Sequence, residues 1–260
     1  MHTVRVVGCG TVDDLHLTPE ARIHIRASRK ALCLGSMPNI ISWLEEEAIL
    51  SEDVTGLYLD GALDDANYAR ILSKIYSEIE RFGDISLVIP GHPRLGVTLV
   101  QTLSASTNHG NIDLRVVPGI SSFDTLINDL ALDPLEEGTC IVDVNRLILH
   151  DYAMEPAINY CVYHVSSIGN ARTDYKNPTA RNRVDILQSK LSGHYARDHV
   201  LILVTSAQSR KEAARIHKGT IGTLPELLEG VTFSTTLFIP ARMPVRVNKE
   251  FLQLLMASAD

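Results

Sequence analysis

Three strand-sized apolar runs in the first half of the chain each break off at a glycine turn. Thr3 to Val7 stops at Gly8-Cys9-Gly10, Ile85 to Ile89 at Pro90-Gly91-His92-Pro93, and Leu114 to Val117 at Pro118-Gly119. The middle run, Ile85-Ser86-Leu87-Val88-Ile89, is apolar on both faces of a strand, the habit of a buried position in a parallel sheet. Helical patterns lie between the runs. Asp64 to Arg81 repeats its apolar residues with a 3.6-residue period, at Tyr68, Ile71, Leu72, Ile75, Tyr76 and Ile79. Thr18-Pro19-Glu20 supplies an N-cap, a proline for the first helical position and an acid for the positive end of the dipole. Further helices are expected over Ile40–Glu47, Leu95–Ser104 and Ser122–Leu130, a strand over Ala31–Leu34, and a strand or loop at Gly56–Leu59. Strand and helix alternating to about residue 130 predict parallel α/β structure with right-handed crossovers.

The second half reads differently. Its strand candidates are Thr139–Val142, Tyr160–Val165, Val200–Thr205 and Thr235–Ile239, with helices or loops at Pro178–Leu191 and Ser209–Arg215. A mixed sheet is expected. The fold class is therefore α/β, with two closely packed α/β lobes and a ligand cleft between them. The expected domains are residues 1–110 with a parallel sheet and 111–260 with a mixed one.

Composition narrows the function classes. With 45% apolar and 21% charged residues among 260, the chain can bury a full core. Its formal net charge of −7 argues against nucleic-acid binding driven by bulk charge. No apolar run approaches the roughly 18–20 residues of a membrane helix. The first strand begins within three residues of the start, which leaves no room for a signal peptide. Cys9, Cys33, Cys140 and Cys161 form no CxxC pair, so zinc-ribbon and thioredoxin chemistry have no support and no metal site is expected. They read as reduced, mostly buried thiols of a cytoplasmic protein.

Ligands in open α/β sheets bind beyond the carboxyl ends of the strands, where the three glycine turns lie. Gly8-Cys9-Gly10 is not a dinucleotide fingerprint, because Asp13 stands where the third glycine belongs and the next helix starts late. It reads either as a turn beside a ligand or as a plain tight turn. Pro90 to Gly96 holds two prolines and two glycines in seven residues, a fixed backbone able to offer main-chain groups. His92 there is either a base or a shaper of the loop. Ser121 and Ser122 either touch a ligand or cap the helix they open. Tyr58 and Tyr68 read equally as site residues and as core aromatics. Asp64 and Asp65 read as a helix N-terminus pair.

Taken in order, VVGCGTVDDLHLTPEARIHIRASRKALCLG, PGHPRLG and RVVPGISSFDTLINDLALDP resemble the tetrapyrrole methylase superfamily. Within it the chain most resembles the borosin-type peptide backbone N-methyltransferases. That likeness rests on His92 in the Gly91-His92-Pro93 turn, the Asp129-to-Pro134 tail, the Tyr160-to-Gly169 segment and Thr235 to Pro240. The resemblance implies S-adenosylmethionine as cofactor and in-line methyl transfer to a peptide or small-molecule acceptor. It implies Gly91, His92, Leu95, Gly96, Ser121, Ser122, Val144, Val165 and Thr236 at the donor, and Tyr58, Tyr68 and His92 as catalytic candidates. It also implies a homodimer, and a free-standing enzyme acting in trans. Two positions depart from the borosin pattern: Pro90 replaces a tyrosine, and Leu63-Asp64-Asp65 stands where an arginine belongs. The acceptor side is thus less well matched than the donor side. A corrin or porphyrin C-methyltransferase, and a binding protein that keeps the fold without catalysis, are the alternative readings.

Overall fold

The computed structural model describes residues 2–107, 112–242 and 247–257. The first lobe is built on strands β1 (His2–Gly8), β2 (Lys30–Cys33), β3 (Ser51–Asp53), β4 (Ile85–Ile89) and β5 (Ile112–Val117). They form a wholly parallel sheet in the order β3-β2-β4-β1-β5. Helices α1 (Pro19–Arg26), α2 (Pro38–Glu46), α3 (Asp64–Phe82) and α4 (Thr98–Thr107) punctuate it, and α5 (Ser122–Asp129), after its last strand, packs through Leu126 on Cys161, Val204 and Phe238 of the second lobe. All five residues of β4 are buried, as expected for a strand at the middle of a sheet. The 3.6-residue stripe of α3 buries Ile71, Ile75 and Ile79 in the cluster that holds Val4, Leu87 and Leu103. Each such side chain contributes roughly 1.5–3 kcal/mol by leaving water. Thr18 caps α1 as its sequence implies, its hydroxyl accepting from the Ala21 N–H at 3.1 Å.

The second lobe carries β6 (Thr139–Asp143), β7 (Asn159–Tyr163), β8 (Val200–Thr205), β9 (Arg215–Thr220) and β10 (Thr236–Ile239), in the order β6-β7-β10-β8-β9. β6 and β7 are parallel and the other pairs antiparallel, giving the mixed sheet expected. Helices α6 (Val144–Leu149), α7 (Val184–Ser192), α8 (Leu224–Leu227) and α9 (Lys249–Ala257) accompany it. Its core joins Val144, Val162, Val165, Leu187 and Leu203.

Two expectations are corrected, the domain boundary and the start of α4, and two left open, Ser209–Arg215 and Gly56–Leu59, are resolved. The division at 110/111 cuts ahead of β5, yet β5 pairs with β1 over six residues and completes the first sheet. Sheet membership changes between Val117 and Thr139. Residues 108–111, on which that boundary fell, lie outside the described residues. Ser209–Arg215 is not a helix but a turn leading into β9, whose first four residues are exposed on a sheet edge and so carry no apolar signature. Gly56–Leu59 falls on a short 3-10 turn, and the third strand is the polar Ser51–Asp53 before it. Helix α4 starts at Thr98 rather than Leu95, because Gly96 sits at φ +70° and holds the preceding segment as a loop. Among the described residues no helix is long and apolar enough to cross a membrane.

Candidate active site at the carboxyl ends of the strands

The three glycine turns meet. A Cβ on Gly8 would lie 2.5 Å from the Gly91 carbonyl oxygen, 2.7 Å from the Pro93 ring and 2.8 Å from the Gly119 nitrogen. A Cβ on Gly119 would collide with the same Gly91 oxygen and with the backbone of Gly8. Only hydrogen fits at either place, so the loops after β1, β4 and β5 close on one another as bare backbone. The Gly91 N–H donates to the Gly10 carbonyl at 2.8 Å, which locks the first two loops together. Gly91 itself is turned outward at φ +71°, and a Cβ there would meet nothing within 4 Å. The junction thus presents an open face at Gly91, the shape a ligand's backbone approach needs. Pro90 packs its ring against Gly35 after β2, where a Cβ would lie 2.8 Å from its Cγ.

The second lobe faces this junction with the carboxyl end of β7. Gly96 lies so close to His164 that a Cβ on it would stand 3.0 Å from Cε1 and 3.1 Å from Nε2. His164 Nδ1 and Asp143 Oδ2 are 2.6 Å apart. The parallel β6–β7 register sets Asp143 opposite Tyr163, one residue from His164. Burial alone would raise the Asp143 carboxyl, but bonds from His164 and the Arg146 N–H outweigh it and hold it below its ordinary value. The Ser122 hydroxyl reaches the Tyr163 hydroxyl at 3.4 Å, and Thr236 approaches the same group. Burial pushes the Tyr163 phenol up to about 12.

A row of rings crosses between the lobes. Tyr68 and Tyr58 lie 6.2 Å apart, Tyr58 and Tyr175 5.2 Å, Tyr175 and Phe233 4.6 Å, and Phe233 and His164 6.2 Å. The Tyr58 hydroxyl donates to Asp64 Oδ1 at 2.6 Å, and the Thr173 N–H donates to the same oxygen at 3.0 Å. Burial and the Asp64 carboxylate both raise the Tyr58 phenol. Burial followed by the Asp64 charge raises Tyr68. Both phenols therefore keep their protons at neutral pH and act as donors. Residues 171–175, from the loop after β7, form a strap across to residues 60–64. Its bonds run from Gly61 N to Thr173 O at 3.0 Å, Asp64 N to Ala171 O at 3.0 Å, Tyr175 N to Asp60 Oδ1 at 2.9 Å and Arg172 Nη1 to Gly61 O at 3.2 Å, beside that of Thr173 to Asp64.

The residues singled out from sequence divide by role. Gly91, His92, Leu95 and Gly96 share the β4 loop, and Ser122 and Thr236 converge on Tyr163. Ser121 is committed to a capping box with Asp124, its hydroxyl accepting from the Asp124 N–H at 3.2 Å. Val144 and Val165 are fully buried core side chains that leave only backbone for a ligand. His92 is half-exposed and accepts the Arg94 N–H at Nδ1, 3.1 Å away. Asp64 begins α3, as the dipole argument requires, and also holds Tyr58 and the strap. Asp143, Tyr163, His164, Tyr175 and Phe233 escaped the sequence reading. The available signal was a Tyr-His pair at the carboxyl end of a strand. All four cysteines are free thiols, three of them buried. Among the described residues no group of three or more His, Cys, Asp or Glu is placed to hold a metal ion.

The chain is similar to known methyltransferases in sequence and in fold. The chain is 22% identical over 244 residues to a methyltransferase/ribosomally synthesized type I borosin cyclic peptide precursor of Serendipita vermifera subsp. bescii, with 92% of this chain covered. It is 23% identical over 252 residues to the methyltransferase/ribosomally synthesized cyclic peptide dendrothelin A precursor of Dendrothele bispora, with 96% covered. It spans 59% and 60% of the lengths of those two relatives. No family model matches the chain. Among solved structures, a uroporphyrin-III-C-methyltransferase from Thermus thermophilus superposes with a TM-score of 0.62 at 17% identity, covering 92% of each chain. A precorrin-6Y methylase of cobalamin biosynthesis from Archaeoglobus fulgidus superposes at 0.59 and 14% identity, covering 94% of this chain and 100% of that one. The chain thus shares the two-lobed fold of these solved methyltransferases and is similar in sequence to the borosin methyltransferase–peptide precursors.

Proposed function

We propose that the chain is an S-adenosylmethionine-dependent methyltransferase whose acceptor is a peptide, supplied in trans. The observation that carries the reading is the junction of Gly8, Gly91 and Gly119, with open space at Gly91, and with Gly96 of the same loop set against His164 of the second lobe. The relatives named as methyltransferase–peptide precursors favour a peptide over a macrocycle. When bound, S-adenosylmethionine supplies a methyl group already activated on a sulfonium, so positioning is the protein's main task. The β4 loop, Ser122 and Thr236 would hold the donor. Thr236 and Tyr163 offer hydroxyls, Gly91 offers room, and the backbone at Val144 and Val165 flanks the adenosine side. Tyr68, protonated at neutral pH, suits donation to an acceptor carbonyl, while the Tyr58 proton is held by Asp64. A bond from Tyr68 orients the acceptor amide. His92 takes a hydrogen bond at Nδ1, so its neutral ring carries the proton on Nε2 and is a donor there as well. A homodimer belongs to the same proposal, and sedimentation velocity checks it.

Calorimetric titration with S-adenosylmethionine and with its demethylated product tests the donor site. Binding is expected in the micromolar range. Gly91→Phe, which fills the open face and takes a φ foreign to side chains, is expected to weaken it at least 100-fold. A folded wild type that binds neither ligand overturns the donor site. Mass spectrometry of an apolar peptide incubated with protein and donor tests the acceptor. Gains of 14 Da on backbone amides are expected. Donor binding with no peptide methylated would leave the non-catalytic reading in its place.

A further inference from the structure

We propose that Asp143 and His164 form a proton-accepting pair at the junction of the lobes, with His164 Nε2 taking the proton that the acceptor nitrogen loses on methylation. This rests on the methyltransferase reading above. Four observations carry it. The Nδ1···Asp143 Oδ2 distance of 2.6 Å puts the imidazole proton on Nδ1, since a carboxylate can only accept. Nε2 is then the basic nitrogen; it lies beside Gly96, where a side chain would crowd it at 3.1 Å, and the His164 side chain keeps 27% of its surface exposed. The backbone is strained for it: His164 stands at φ +61°, a region that residues other than glycine rarely occupy. Such a conformation persists only where the surroundings impose it. Here the Ser167 N–H and hydroxyl both donate to the His164 carbonyl, at 2.9 and 3.2 Å. Finally, the other candidates are donors. Tyr58 and Tyr68 are held protonated, and His92 is bonded in the opposite tautomer.

The proton balance follows. As the acceptor nitrogen bonds to the methyl carbon and the sulfonium C–S bond breaks with its electron pair left on sulfur, the nitrogen's proton passes to Nε2. The imidazolium so formed sits beside the Asp143 carboxylate, and its proton then leaves to solvent. An amide N–H is far too weak an acid to protonate imidazole before attack. Once the nitrogen carries the methyl group, its positive charge makes the same proton strongly acidic, and imidazole suffices. Asp143 is a positioning residue that fixes the tautomer. The groups facing the imidazole are Asp143, the rings of Tyr163 and Phe233, and the Gly96 backbone.

Two measurements test the pair. Nitrogen-15 NMR of histidine-labelled protein, with no ligand present, reads the tautomer directly. Neutral His164 is expected to carry its proton on Nδ1 in the wild type and to lose that preference in Asp143→Asn. A wild-type ring protonated on Nε2 overturns the proposal whatever the acceptor is. His164→Gly removes the ring while relieving the backbone, so the fold is expected to hold. Its turnover of the apolar peptide at saturating donor is expected to fall about 100-fold, with partial recovery in added imidazole. Turnover within threefold of wild type overturns the proposal. A wild type that methylates no peptide overturns the peptide reading instead, and the tautomer then decides the pair alone.

Discussion

Two polar clusters sit at opposite ends of the first lobe, and they are built on opposite rules. At the amino ends of the strands, Lys30, Glu52, Lys74 and Glu78 form a closed square. Lys30 Nζ lies 2.8 Å from Glu78 and 2.5 Å from Glu52, and Lys74 Nζ lies 2.7 Å from each glutamate. Each charge answers two others. At the carboxyl ends, Asp64 holds Tyr58 and the strap, and Asp143 of the second lobe holds His164, the side chains of this last pair staying partly exposed. A saturated network fixes a fold and offers nothing to a ligand. A network satisfied on one side only keeps its remaining capacity for chemistry, and this favours the carboxyl ends for the proposed methyl transfer.

The sharpest way to break that contrast is Lys30→Met. It leaves Glu78, whose side chain is only 5% exposed, with Lys74 as its remaining ion partner, and losing a hydrogen bond to a charged group costs about 1.5–3 kcal/mol. Urea unfolding should show that loss, with donor affinity unchanged in the fraction that stays folded. A smaller effect is expected at the other end from Tyr58→Phe. Losing the hydroxyl that holds Asp64 in place should lower peptide turnover about tenfold, or ~1.4 kcal/mol, with unfolding changed by about 1 kcal/mol. A Tyr58→Phe protein as active as wild type would confine that tyrosine to packing. The smallest effect is expected from Glu52→Gln. Bonds from Lys30 and Lys74 lead the causes that hold Glu52 below the ordinary glutamate value of 4.5. Glu78 is lowered too, the same two lysines overcoming its burial. Both contribute stability that is complete above 4.5 and is lost as pH falls through their folded values. Glu52→Gln should therefore shift the urea midpoint at pH 7 by less than about 1 kcal/mol and make its decline toward pH 3.5 shallower.

How far the sequence carried depends on whether a signal is local. The turns after β1, β4 and β5 were legible because glycine and proline at strand ends have local causes, and the structure brings these turns together. The alternating pattern yielded the parallel lobe, and the stripe on α3 is the one that packs. β3 and β9 escaped because edge strands carry polar residues and show no apolar run. The Asp143–His164 pair escaped for a different reason. Its members are 21 residues apart and meet only through the β6–β7 register. The Asp64 carboxylate looked like a helix-dipole partner, and it is one. Its second task depends on Thr173, 109 residues later, which no local pattern announces.

The strap also has a consequence for the order in which the protein can be made. The contact among Gly8, Gly91 and Gly119 is complete once the chain has been synthesised past residue 119. The wall at Tyr58 and Asp64 must wait for residues 171–175, across the whole of β6 and β7. Closing so long a loop carries an entropic cost that only later contacts repay. A nascent chain therefore brings the three glycine turns together well before Tyr58 and Asp64 gain their wall, and Thr236, on the last strand, joins the groove later still.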